Sequence, residues 1–170
     1  MSVHAARFVV GQLAKRPGIA TELIDIREVP LPVDGAGDEI KDPAFSQKME
    51  NADGLVIVTP EYNHSFPGLL KHLLDTCLEE YIHKAAGIVS VSSGPFGGTR
   101  VVQNLLPVLR ELGLMTIFTD LNFSNVGKVF DDEGKILDET AWPRRASNFL
   151  DELVWMSTVL RHGRENVPQE

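Results

Sequence analysis

The sequence predicts an α/β fold: one parallel sheet with helices packed on both of its faces. Three observations predict it. Two short runs, "GLVIVT" (54–59) and "AAGIVSVS" (85–92), are apolar or small at nearly every position, the mark of strands covered on both sides. Stretches with helical spacing lie between and around these runs, so helix and strand alternate along the chain. Neither run ends in an ordinary turn. "TPEYNHSFPG" (59–68) closes the first and "SSGPFGGTR" (92–100) follows the second, and open parallel sheets bind ligands beyond the carboxyl ends of their strands.

The elements follow in order. "SVHAARFVVGQLAKR" puts Val3, Ala6, Phe8 and Leu13 on a helical face, and Pro17-Gly18 stops it. "TELIDI" (21–26) reads as a strand, and the segment after it, with Pro30 and Pro32, as an exposed loop. Asp42 and Pro43 open a short helix as cap and first residue. "PGLLKHLLDTCLEEY" (67–81) is an amphipathic helix. "GGTRVVQNLLPVLRELG" (97–113) is another, which Pro107 is expected to kink or restart. "LMTIFTDLNF" (114–123) is a further strand, "DDEGK" (131–135) a turn, and 140–163 a closing helix.

Composition bounds the function. With 170 residues, 43% hydrophobic and 24% charged, the chain is expected to form a single domain over 1–170. No apolar run reaches the roughly 18–20 residues of a membrane span, and the opening residues lack a signal-peptide pattern. Cys77 is the single cysteine, which excludes an intrachain disulfide or a cysteine-rich metal site and fits a reducing cytoplasm. A formal net charge of −8 argues against a nucleic-acid surface. His64, His72, His83 and His162 are too scattered for metal-ligand spacing. Cys77, among Leu73, Leu74 and Leu78, reads as a packed core thiol.

The two strand ends are read as one site. Pro60 stiffens the first loop, Tyr62 offers a ring face, and Asn63 donates and accepts. Thr59 and Ser65 carry hydroxyls. In the second loop Gly94, Gly97 and Gly98 let the backbone approach a ligand closely. Such groups suit a flat heteroaromatic ring with a polar edge. Nothing in the sequence forms a catalytic triad or a metal cluster.

"TPEYNHSFPGLLKHLLD" together with "SVSSGPFGGTR" resembles the NADPH-dependent FMN reductases of flavodoxin-like fold, which include quinone, azo-compound and chromate reductases. The resemblance runs from about Ala6 to the last helix. It implies that Thr59, Pro60, Glu61, Tyr62, Asn63, Ser92, Ser93, Gly94 and Gly97 hold FMN, largely through main-chain groups. It also implies hydride transfer from NADPH or NADH to the flavin and then to a quinone or similar small acceptor, with no catalytic side chain. Arg100 stands at a helix start where it can face the nicotinamide's phosphates; an exposed or ion-paired arginine is the competing reading. Members of the family are dimers or tetramers. With the apolar helix after PEYN, that implies a homodimer or homotetramer.

The sequence departs from the family at its start. The family opens with a strand of the type "ILIILGS" and a Ser/Arg-rich loop around the FMN phosphate, whereas Met1 and Ser2 stand where that loop ends. Ser2 and the amides of the first helical turn are what remain to meet an anion. Three readings stay open: a truncated reductase, a gap filled by rearranged strands or a second subunit, and a flavin-free structural or regulatory paralogue. A one-electron carrier is disfavoured by the PEYN and Gly-Gly pattern.

Overall fold

Every strand pair in the sheet is parallel, and helices alternate with the strands as the sequence predicts, except that the last two strands follow one another directly. The computed structural model describes residues 1–168. Helix α1 spans Ser2–Leu13 and α2 spans Pro43–Asn51, where the Asp42 carboxylate accepts from the Phe45 amide at 2.8 Å. Strand β1 (Gly54–Pro60) leads to α3 (Gly68–Leu74), and β2 (Ala85–Val91) to α4 (Thr99–Glu111). Strands β3 (Met115–Thr116) and β4 (Leu121–Phe123) precede α5 (Ala141–Asn166).

Strand β2 is central. It pairs with β1 from Gly54↔Ala85 to Pro60↔Val91, and with β3 and β4 on its other side. One face of the sheet is covered by α1 and α5, with Val9, Leu13, Phe149 and Leu150 packed around Val89 and Phe123. The other is covered by α2, α3 and α4, where Phe45, Leu74, Leu105 and Leu109 meet Ile57 and Ile88. All seven residues of β2 are buried, as its apolar run requires. In β1 only Ile57 and Thr59 are buried, because β1 ends the strand order and lacks a second neighbour among the described residues.

Four local expectations change. "TELIDI" forms no strand: it has no ladder partner among the described residues, and an extended segment becomes a strand only by pairing. Ile24 and Ile26 pack instead beside the core under α2, α3 and α4. The helix after the PEYN loop stops at Leu74, where the Thr76 hydroxyl takes the Leu73 carbonyl at 2.8 Å. Residues 114–123 are two short strands, because this side of the sheet carries two more residues than β2 between Ala85↔Met115 and Val89↔Leu121. Pro107 sits inside α4 without dividing it.

At the amino ends of the strands, the buried Lys84 and Glu80 are paired within the chain. Lys84 Nζ donates to the Glu50 carbonyl at 2.7 Å and to that of Met49, closing the end of α2. Burial alone would raise the Glu80 pKa, but hydrogen bonds from the Ser46 hydroxyl and the Lys41 ammonium outweigh it and hold the carboxyl at about 2. Cys77 is buried, and burial pushes its thiol up to about 11, so it is inert packing.

Candidate functional site

Three chain reversals meet at the carboxyl ends of the strands. After β1, the Glu61 amide donates to the Val91 carbonyl at 3.0 Å, which carries the β1–β2 ladder one residue further. Tyr62 and Ser65 then exchange backbone hydrogen bonds of 2.8 and 3.0 Å, with Asn63 at φ 50° and His64 at φ 68° between them. Two left-handed residues inside a reciprocal pair make a primed hairpin turn, which asparagine tolerates well. The turn leaves Tyr62 62% exposed and sets Asn63 and His64 outward. Asn104 of α4 ties down its tip, donating to the His64 carbonyl at 2.6 Å. Thr59 is buried, and its hydroxyl donates to the Pro60 carbonyl at 3.2 Å.

The loop after β2 is held differently. Gly97 and Gly98 are buried at φ 63° and 84°, and a Cβ on Gly98 would stand 2.8 Å from the Ser90 Cβ. The Ser90 hydroxyl donates to the Gly97 carbonyl at 2.6 Å and pairs with the Asn122 side chain. The Ser92 amide donates to Phe123 O at 3.0 Å, the Val126 amide to Ser92 O at 3.1 Å, and the Asn125 amide to Gly94 O at 3.0 Å. The Ser92 hydroxyl accepts from the Gly94 amide at 3.1 Å. This pinning leaves Ser93 exposed, and Phe96 62% exposed, at the rim.

Glu61 and Arg100 bridge the two loops. The Glu61 side chain is 11% exposed, and its Oε1 lies 3.7 Å from Nη1 of Arg100, whose side chain is 44% exposed. The guanidinium also lies over the Phe96 ring, 5.0 Å from its centroid. Glu61 Oε2 is buried without a hydrogen-bond partner among the described residues. An unsatisfied buried acceptor costs about 1–3 kcal/mol; the Tyr81 and Thr119 hydroxyls are also buried without a partner among the described residues.

Thus Pro60, Glu61, Tyr62 and Asn63 gather beside Ser92, Ser93, Gly94, Gly97 and Arg100. Ser2 begins α1, whose first turn borders the loop after β4. His4 packs 6.0 Å from the Phe130 ring, and a Cβ on Gly134 would lie 2.1 Å from its Nδ1. Sequence reasoning missed Ser90, Asn104 and Asn122, which shape the loops from below. The signal for Ser90 and Asn122 was a hydroxyl and an amide inside apolar strands; Asn104 on its amphipathic helix carried none. Two shallow depressions of about 310 and 280 Å³ lie elsewhere, between α1 and α5 and between α3 and α4. The strand-end site is an open face built from loops.

The residues present fit a flavin ring. Exposed aromatic faces at Tyr62 and Phe96 flank amide and hydroxyl groups at Asn63 and Ser93, with Glu61 Oε2 buried and unpartnered among the described residues beside them. Residues 2–128 match the family model described as NADPH-dependent FMN reductase. The chain belongs to this family. It is accordingly an oxidoreductase of the type that works with FMN and a reduced nicotinamide.

Among its relatives is an NAD(P)H-dependent FMN reductase of Pseudomonas aeruginosa, 32% identical over 74% of this chain and 72% of that protein. An NADPH:quinone oxidoreductase of Arabidopsis thaliana is 34% identical over 75% of this chain and 70% of its own length. An FMN-dependent NADPH-azoreductase of Staphylococcus haemolyticus is 32% identical over 88% of this chain and 84% of its own. Of the solved structures, the flavoenzyme NAD(P)H:(acceptor) oxidoreductase of Paracoccus denitrificans superposes with a TM-score of 0.72 at 20% identity, over 93% of this chain and 90% of that one. That likeness establishes the shared parallel α/β fold.

Proposed function

We propose that this reductase binds FMN against loops 59–63 and 92–97 and passes two electrons from NADPH or NADH to a quinone or similar small acceptor. The observation that carries this reading is the meeting of two pinned loops. They leave Tyr62, Asn63, Ser93 and Phe96 facing outward around a buried acceptor atom with no partner. Bound flavin supplies the hydride chemistry, and the chain supplies position. Tyr62 lends an apolar face. Asn63 and the Ser93 amide meet the polar ring edge, while Gly94 and Gly97 allow close approach. Ser2 and the first turn of α1 provide donors for a phosphate. Arg100 faces the nicotinamide side.

Relatives named for quinones and for azo compounds support a small-molecule acceptor. Among the described residues no helix is long and apolar enough to cross a membrane. The single buried thiol of Cys77 fits a reducing, cytoplasmic setting. We further propose a homodimer or homotetramer. Leu70, Leu73 and Leu74 of α3 are absorbed by the core, and Leu69, Leu78 and Ile82 remain exposed for a second copy. A monomeric mass by light scattering would contradict that assembly. The functional reading is tested by titrating the protein with FMN, following flavin fluorescence, and then adding NADPH without oxygen. Saturable quenching followed by bleaching is expected; no quenching leaves the fold without its flavin.

A further inference from the structure

We propose that Glu61 sets donor affinity: it holds Arg100 by a long ion pair and yields it to a phosphate group of the reduced nicotinamide. The inference rests on the reductase reading above. A guanidinium carries five N–H donors in a planar fork. In Arg100 one face rests on Phe96, and the Glu61 contact of 3.7 Å is beyond hydrogen-bond length. Most of the fork therefore remains unused and half-exposed beside the strand-end site. Phe96 fixes the plane of the cation, so the side chain is oriented before an anion arrives.

The Glu61 backbone is anchored in this position. Its amide is bonded to Val91 O, and Asn104 ties α4, which carries Arg100, to the same loop through His64 O. A phosphate at charge-assisted hydrogen-bond distance attracts the guanidinium more strongly than a carboxylate held at 3.7 Å. The carboxylate nevertheless competes, because it subtracts from the positive field at Arg100. On a chain of net charge −8, an anionic donor needs a local cation such as Arg100 to offset the overall repulsion. The Glu61–Arg100 distance thus makes the pair a weak latch that a phosphate can open.

The test uses the FMN-loaded protein and its R100A, R100K and E61Q variants. Dissociation constants for NADPH and NADH come from stopped-flow flavin reduction. Calorimetry with 2′,5′-ADP and 5′-AMP gives a readout independent of turnover. R100A is expected to weaken NADPH about tenfold or more, R100K less, and E61Q to tighten it by about threefold. Loss for NADPH and 2′,5′-ADP alone assigns the 2′-phosphate to Arg100, and equal loss for all four probes assigns the phosphates they share; both support the anchor. Unchanged donor affinity in R100A that still binds and reduces FMN overturns it. So does a fall in FMN affinity with donor affinity intact, which would give Arg100 to the flavin phosphate. Weaker donor binding in E61Q overturns the latch. A wild-type protein that neither binds FMN nor is bleached by either nicotinamide overturns the reductase reading, and this inference with it.

Discussion

The loops that close β1 and β2 lie side by side at the carboxyl ends of the strands but are built by different means. The 61–65 turn is shaped mainly by itself: a reciprocal Tyr62–Ser65 pair and two left-handed residues set its form, Asn104 adds one tie at the tip, and Tyr62, Asn63 and His64 stand in solvent. The 92–98 loop is tertiary: Ser90, Asn122, Phe123 and Val126 hold it from outside its own sequence. A locally specified turn exposes variable side chains at low cost, whereas a loop pinned from below offers a fixed backbone. A flat ligand with a polar edge needs both, a side-chain face and a rigid row of main-chain groups.

Substitutions that separate the two loops test this contrast. The largest effect is expected for Gly98→Ala, which places a Cβ 2.8 Å from Ser90 and strains φ 84°. A loss of about 2–4 kcal/mol in urea denaturation follows from overpacking and backbone strain together. A near-wild-type midpoint would mean that the loop rearranges freely and is not pinned. Ser90→Ala strips the Gly97 carbonyl and the Asn122 amide of a buried partner, with an expected loss of about 1–3 kcal/mol. A stability loss well below that range would show that Asn122 alone holds the loop.

Asn63→Ala should behave differently, costing only roughly 1 kcal/mol for an alanine in the left-handed region while weakening FMN about tenfold by fluorescence titration. Unchanged FMN affinity would put the ring elsewhere. The last effect concerns neither loop. Glu80, at the other end of the strands, has its folded pKa depressed from 4.5 to about 2, so its stabilisation is full above the unfolded value and is lost as pH falls through that window. The urea midpoint should drop between those pH values and do so less in Glu80→Gln, whereas an identical acid response in the two proteins would remove Glu80 from the account.

Much of the fold was legible because its signals are local. The apolar runs of β1 and β2, the Asp42–Pro43 helix start and the Asp131 turn each follow from residues that are neighbours in sequence, and all appear. "TELIDI" misled because strand composition is only half of a strand; the other half is a partner with free backbone groups. The 114–123 segment misled for a related reason. Its two extra residues against β2 become visible only once the register is known.

At the site, PEYN and the Gly pair announced themselves by residue types that neither pack a core nor make an ordinary turn. The pairing of Glu61 with Arg100 joins residues 39 positions apart, and Ser90, Asn104 and Asn122 act from separate elements. The sequence by itself determined the alternation of elements, the family, and which two strand ends break into unusual loops, because periodicity, turn residues and motif spacing are properties of nearby residues. The tertiary structure alone decided how each loop is held and, among the described residues, that Glu61 keeps an unpartnered buried oxygen beside a half-exposed arginine and that β1 ends the strand order. Those facts depend on hydrogen bonds and burial between distant segments, which exist only once the chain has closed on itself.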